Sequence, residues 1–85
     1  MKLRHDRIRR AQELMIENGM IGIMIMNHDD YRYFFGDTRS QPRAIIPASG
    51  PPVFIAFEAE EPELRQALGP AEPVKVFTWQ IQGSS

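Results

Sequence analysis

The chain contains no cysteine, which excludes disulfide scaffolds and thiol chemistry. Its longest apolar run is the seven residues of Met20–Met26, far short of the about 20 residues that a helix needs to span a bilayer. It has no marked excess of charge either, because 10 basic and 11 acidic residues leave a net charge of −1. That balance gives no general basis for binding nucleic acid or an anionic membrane. We therefore expect a cytoplasmic globular protein without a nucleic-acid or membrane partner.

Signatures of catalysis are also scarce. Only His5 and His28 supply imidazole, no serine lies in a nucleophile elbow, and no glycine-rich phosphate loop is present. His28 is followed by Asp29 and Asp30, which resembles a metal-ligand cluster, but adjacent residues rarely converge on one ion. The start of a helix explains these residues better, and a metal-ligand role is the alternative. We predict no catalytic residue, no metal site and no cofactor in this chain.

The first half of the chain predicts two helices separated by a strand. Apolar residues at spacings of three, four and seven predict a helix over residues 6–18. Met20–Met26 shows no alternation of apolar and polar residues, as is typical of an interior strand covered on both faces. Asn27 or Asp29 can then cap a short aromatic helix through a side-chain oxygen, and Gly36 ends that helix.

The second half predicts a hairpin, a helix and a last strand. Val53–Phe57 follows Arg43–Pro47 after five residues that include a glycine, which predicts an antiparallel pair. Acidic residues around Pro62 predict a helix that runs from about Glu60 to Leu68, and the alternation of Val74–Trp79 predicts a strand. The order α-β-α-β-β-α-β is typical of an α/β domain, a mixed β-sheet flanked by helices in two or three layers. Eighty-five residues make one domain, over residues 1–85.

Two arginines stand out beyond the aromatic helix. Arg39 and Arg43 flank Pro42 at the start of the predicted hairpin. Paired guanidinium groups at such a place can hold a carboxylate with bidentate hydrogen bonds. Solvated loop arginines are the alternative interpretation.

The aromatic helix and the strand before it resemble a known family. An arginine-rich helix, the segment NGMIGIMIM and the segment NHDDYRYFFG follow one another, and a hairpin and a helix begun by proline come next. This order is similar to the N-terminal domain of the creatinase, prolidase and aminopeptidase P family over about residues 4–79. Asn27, Asp29, Tyr33 (or Tyr31) and Gly36 form the structural signature of the resemblance.

The resemblance implies a ribonuclease H-like layout and a role without catalysis of its own. Members of the family carry a larger C-terminal domain that holds a two-metal site, or a metal-free site in creatinase. The chain is therefore expected to be a truncated or incomplete N-terminal domain, with the divalent metal only in the absent catalytic domain. The expected function is to cover the active-site cleft and to form a homodimer of an Xaa-Pro dipeptidase, aminopeptidase P or creatinase-like hydrolase.

The resemblance also implies candidate residues for substrate contact. In creatinase-like members, an aromatic residue and an arginine near the hairpin reach the substrate carboxylate of a neighbouring subunit. Arg43 lies nearest to that position in this sequence, Arg39 is second, and Phe35 is the aromatic candidate. A free-standing protein-interaction module of the same fold is the alternative function. A small independent enzyme is disfavoured, because no nucleophile is placed beside a base.

Overall fold

The computed structural model describes residues 1–69 and 75–79, and these form helices and strands in the predicted order. The predicted start of the last strand, Val74, lies outside the described residues. None of the described helices has the length and the hydropathy to cross a membrane. The elements are α1 (His5–Glu17), β1 (Gly22–Ile25), α2 (His28–Phe35), β2 (Ala44–Pro47), β3 (Val53–Phe57), a 3-10 turn (Glu58–Glu60), α3 (Glu61–Leu68) and β4 (Lys75–Trp79).

The strands form one mixed sheet in the order β1-β2-β3-β4. β2 is antiparallel to both β1 and β3, so the predicted hairpin is confirmed. β4 is parallel to β3 and follows it through α3, because a parallel pair needs a crossover that a tight turn cannot supply. The predicted fold class, α/β with a mixed sheet, is confirmed.

One face of the sheet forms the core together with all three helices. Alternate residues along a strand point to the same face, and on this face they are buried. The helices contribute their apolar sides to the same cluster, so the described elements make two layers. The core consists of Ile25, Ala44, Ile46, Phe54 and Ala56 from the sheet, Ile8, Met15, Tyr31, Phe35, Leu64 and Leu68 from the helices, and Leu3.

Among the described residues, the opposite face of the sheet is open, which corrects the prediction for the first strand. β1 is an edge strand, shorter than the predicted Met20–Met26, and no described helix covers its second face. Ile25 is buried, whereas the Met24 side chain is 60% exposed. The apolar run suggested that both faces of the strand are covered. Apolar residues on an uncovered face give the same sequence pattern as apolar residues on a covered face.

The amino-terminal segment holds the end of α2. The Lys2 N–H donates to the Phe35 carbonyl at 3.0 Å, and the Arg4 N–H donates to the Phe34 carbonyl at 2.8 Å. These bonds satisfy two of the carbonyl groups that a helix leaves without an internal partner. Gly36 directly follows, with φ at 79°, and ends the helix in the left-handed conformation as predicted.

Candidate functional site

Asn27 begins α2, and its side chain closes the first turn. Its Oδ1 accepts a hydrogen bond from the Asp30 backbone N–H at 2.8 Å, and its own backbone is extended, which is the geometry of an N-cap. Asp29 lies within the first turn, where its carboxylate is favoured by the positive end of the helix dipole. Of the two predicted caps, Asn27 is therefore the one that the structure confirms.

The polar residues that follow Asn27 also fit a helix start. His28 Nδ1 lies 2.8 Å from Thr38 Oγ1, and the Asp30 carboxylate accepts from Asn27 Nδ2 at 2.8 Å. Within residues 1–69 and 75–79, no three His, Cys, Asp or Glu side chains are grouped so that they could hold a metal ion. The structure thus gives this segment a capping role.

The two tyrosines of the signature lie in different environments. Tyr33 is half exposed, and the Arg7 guanidinium lies over its ring, 4.4 Å from the centroid. Arg7 Nη1 also donates to the Tyr33 carbonyl at 2.9 Å, so it caps the carboxyl end of α2 as well. Tyr31 is fully buried against Phe35, with the ring centroids 4.8 Å apart. Tyr31, rather than Tyr33, is therefore the tyrosine that builds the core.

Phe35, the aromatic candidate for substrate contact, lies in the core. Its side chain has no exposed surface, and its ring centroid is 4.7 Å from that of Phe54. This position supports a packing role. Substrate contact by Phe35 stays a prediction, and the burial of the ring gives it no support.

Arg39 is held within the chain by an ion pair. Its side chain is only 10% exposed, and Nη2 lies 3.1 Å from Glu60 Oε2. The other oxygen of Glu60 accepts from the Phe57 N–H at 3.4 Å. Arg39 thus anchors the segment after α2 to the 3-10 turn. The sequence pattern does not predict this pair, because the two residues are 21 positions apart and only the fold brings them together.

Arg43 has the opposite environment, although only Pro42 and two other residues separate it from Arg39. Its side chain is exposed, and it makes no ion pair or hydrogen bond with any described residue. Its backbone is fixed, since its carbonyl accepts from the Ile55 N–H at 3.1 Å. Of the three candidates, Arg43 is the one with an exposed charged group that no described side chain pairs with.

Two buried side-chain polar atoms belong to Tyr31 and Arg39. Neither the Tyr31 hydroxyl nor Arg39 Nε has a hydrogen-bond partner among the described residues. Burial raises the pKa of Tyr31 from 10.0 to about 12, while the Arg39 guanidinium lowers this pKa in part and the Asp37 carboxylate raises it. The fold therefore accepts only the neutral phenol over the physiological range.

We expect alkaline pH to destabilise the chain through Tyr31. Above pH 10 the unfolded chain loses the phenol proton first, so the free energy of unfolding falls until about pH 12, by up to about 2–3 kcal/mol. Urea unfolding between pH 8 and pH 12 measures this loss. Tyr31→Phe is expected to flatten the profile and to cost no more than about 1 kcal/mol at neutral pH, because the hydroxyl has no hydrogen-bond partner to lose among the described residues. An equally steep alkaline loss in Tyr31→Phe would contradict this assignment.

Comparison with known proteins places the whole arrangement in one family. A family model described as the Creatinase/Prolidase N-terminal domain matches residues 7–83. A search of curated proteins gives no significant match. The matched range includes the capped aromatic helix, the Gly36 stop, the hairpin and the Arg39–Glu60 ion pair. The chain therefore belongs to the Creatinase/Prolidase N-terminal domain family.

Proposed function

We propose that this chain is the non-catalytic N-terminal domain of an Xaa-Pro dipeptidase, aminopeptidase P or creatinase-like hydrolase, acting in the cytoplasm. The match of the family model over residues 7–83 carries the proposal. In this role the domain covers the active-site cleft of its own catalytic domain, which holds the divalent metal. We propose no cofactor site and no catalytic group within this chain itself.

Arg43 is the residue that we assign to contact outside the domain. Its guanidinium is exposed and unpaired within the described part of the chain, whereas Arg39 is committed to Glu60. Bidentate pairing with a carboxylate is the interaction that such an arginine favours. We therefore propose that Arg43 alone, and not Arg39 and Arg43 together, contacts a carboxylate outside the domain.

Homodimerisation is the second part of the proposed role. β1 is an edge strand, and large apolar side chains are exposed near its start, with Ile16 at 66% and Ile21 at 91%. Exposed edges and apolar patches of this kind favour pairing with another chain. Sedimentation at high protein concentration tests this part, and a strictly monomeric profile would contradict it.

An activity assay tests the absence of catalysis. The pure 85-residue chain, supplied with Mn²⁺ or Co²⁺, is expected to leave Xaa-Pro dipeptides intact. Turnover by this material would overturn the proposal.

The sequence of the encoding gene beyond Ser85 separates the two candidate roles. Asp, His and Glu ligand motifs downstream support a covering domain, and a stop codon supports a free-standing interaction module.

The open face of the sheet is the observation that favours the interaction module. Its exposed apolar side chains, and the Arg43 guanidinium, which pairs with none of the described side chains, suit a binding surface whether or not a catalytic domain follows.

A further inference from the structure

The turn between α1 and β1 contains a dipeptide with a reactivity of its own. Asn18 is the C-cap of α1, Gly19 follows it, and both residues are exposed. In an Asn-Gly pair the backbone nitrogen of the glycine can attack the side-chain amide carbon of the asparagine, because glycine has no Cβ that hinders the approach. The other asparagine of the chain, Asn27, is followed by His28. Asn18 is therefore the asparagine whose neighbour favours this reaction.

The surroundings of Gly19 are open to solvent. Its φ is 69°, and a Cβ built at this position would meet nothing within 4 Å among the described residues. Water and hydroxide are the other reactants that the reaction needs. Because the attack takes place within the chain, it does not depend on what covers the open face of the sheet.

The backbone of the folded chain keeps the two reacting groups apart. The ψ angle of Asn18 is 8°, so the Gly19 nitrogen nearly eclipses the Asn18 backbone nitrogen. The Asn18 Cβ then lies about a third of a turn away around the Cα–C bond, because Cα is tetrahedral. The five-membered ring of the intermediate requires Cβ and the Gly19 nitrogen on the same side of that bond. The ring therefore closes only after this bond has rotated.

Three hydrogen bonds at the end of α1 oppose the rotation. They run from the Gly19 N–H to the Ile16 carbonyl at 3.2 Å, from Asn18 Nδ2 to the Leu14 carbonyl at 2.8 Å, and from the Met20 N–H to the Met15 carbonyl at 2.8 Å. They satisfy carbonyl groups that the helix leaves without an internal partner, and the Met15 side chain is buried in the core. The last turn of α1 must consequently open before the ring can form.

We propose that Asn18 is a site of spontaneous deamidation, which proceeds when the last turn of α1 opens, and that the product loosens the junction between α1 and β1. The Gly19 nitrogen gives up its proton and bonds to the Asn18 Cγ, the amide C–N bond breaks, and the amide leaves as ammonia. Water then opens the ring at either carbonyl, which yields aspartate or isoaspartate. The inference goes beyond the proposed function and applies to either candidate role.

The product is unfavourable at this position. A carboxylate replaces the Nδ2 donor, so an acceptor faces the Leu14 carbonyl. It also adds negative charge at the negative end of the α1 dipole, where the last turn has no basic residue and already contains Glu17. Isoaspartate adds one carbon to the main chain between α1 and β1. The junction therefore becomes less stable once Asn18 has reacted.

Mass spectrometry of the 85-residue chain tests the site. The chain is incubated in mildly alkaline buffer, with and without urea, and digested with trypsin. The fragment 11–32 contains both asparagines, and its tandem spectra assign the reaction to one of them. In urea, Asn18 is expected to react faster than Asn27, and Gly19→Ala is expected to remove the difference. Without urea, Asn18 is expected to react about tenfold or more slowly than in the unfolded chain.

Amide hydrogen exchange measures the effect of the product. Asn18→Asp, which reproduces the aspartate product, is expected to speed exchange of the Met20 N–H about two- to fivefold relative to Asn18→Ala. Asn18→Ala is the matched control, because it removes the same hydrogen bond without adding a charge. The difference between the two variants is expected to shrink at high salt, which screens the added carboxylate.

Three results would overturn the proposal. Equal rates at Asn18 and Asn27 in urea would show that the Asn-Gly pair has no special reactivity. Equal rates at Asn18 with and without urea would show that α1 does not restrain the reaction. Equal exchange in Asn18→Asp and Asn18→Ala would show that the charge of the product does not loosen the junction. None of these results bears on the Xaa-Pro activity assay.

Discussion

Replacing Gly36 with alanine is expected to lower the free energy of unfolding by roughly 3 kcal/mol or more. The left-handed backbone at φ 79° alone disfavours any residue with a Cβ. A Cβ built at this position would also lie 2.5 Å from the Lys2 carbonyl oxygen. Lys2 cannot move away without weakening its hydrogen bond to Phe35. Urea unfolding followed by circular dichroism measures the loss.

Gly19 is the matched control for this prediction. It has a similar φ of 69°, but a Cβ there would meet nothing within 4 Å. Gly19→Ala should therefore show only the cost of the left-handed conformation, about 1–2 kcal/mol. Equal losses at the two glycines would show that the Lys2 contact contributes nothing. For a domain of this length the whole free energy of unfolding is about 4–13 kcal/mol, so the loss expected for Gly36→Ala is a large share of it.

Truncation of Phe35 to alanine is expected to cost about 3–5 kcal/mol. The ring has no exposed surface and packs between Tyr31 and Phe54, with centroids 4.8 and 4.7 Å away. Its removal leaves a cavity where the helix layer meets the sheet. Urea unfolding measures this loss. If the alanine variant does not fold, Phe35→Leu gives a measurable loss in the free energy of unfolding, which is expected to be under about 2 kcal/mol.

Phe77 supplies the contrast for Phe35. It is also an aromatic residue, but 62% of its surface is exposed on the open face. Phe77→Ala is expected to change the free energy of unfolding by less than about 1 kcal/mol. A comparable loss at both positions would mean that the open face is covered in solution, which would contradict the two-layer arrangement.

The local elements were predictable because their signals lie within a few residues. The Asn27 cap acts on an N–H three residues later, and Gly36 ends the same helix by its own conformational freedom. The hairpin followed from turn residues between two apolar segments. Element order followed from these signals, and the family resemblance with it.

The candidate site was less predictable, because three residues close in sequence have different surroundings. Arg39 was a candidate to hold a carboxylate together with Arg43, with solvated loop arginines as the alternative, and the structure pairs it with Glu60 inside the chain. Its contact with a substrate stays a prediction. Phe35 was the aromatic candidate for substrate contact that the resemblance implied, and the structure packs it in the core. Only Arg43 is exposed, because strand alternation turns it toward the uncovered face.

From its sequence alone, this protein can be placed in its family, and its helices, strands, caps and turns can be ordered along the chain. The signals for these features lie within short segments of the sequence, such as the cap, the turn residues and the spacing of apolar residues. The covered face of the sheet, the partner of Arg39 and the capping of α2 by Lys2, Arg4 and Arg7 depend on contacts between distant residues. Such contacts arise from packing. An apolar run such as Met20–Met26 does not specify the packing, because covered and uncovered strand faces can both carry apolar side chains.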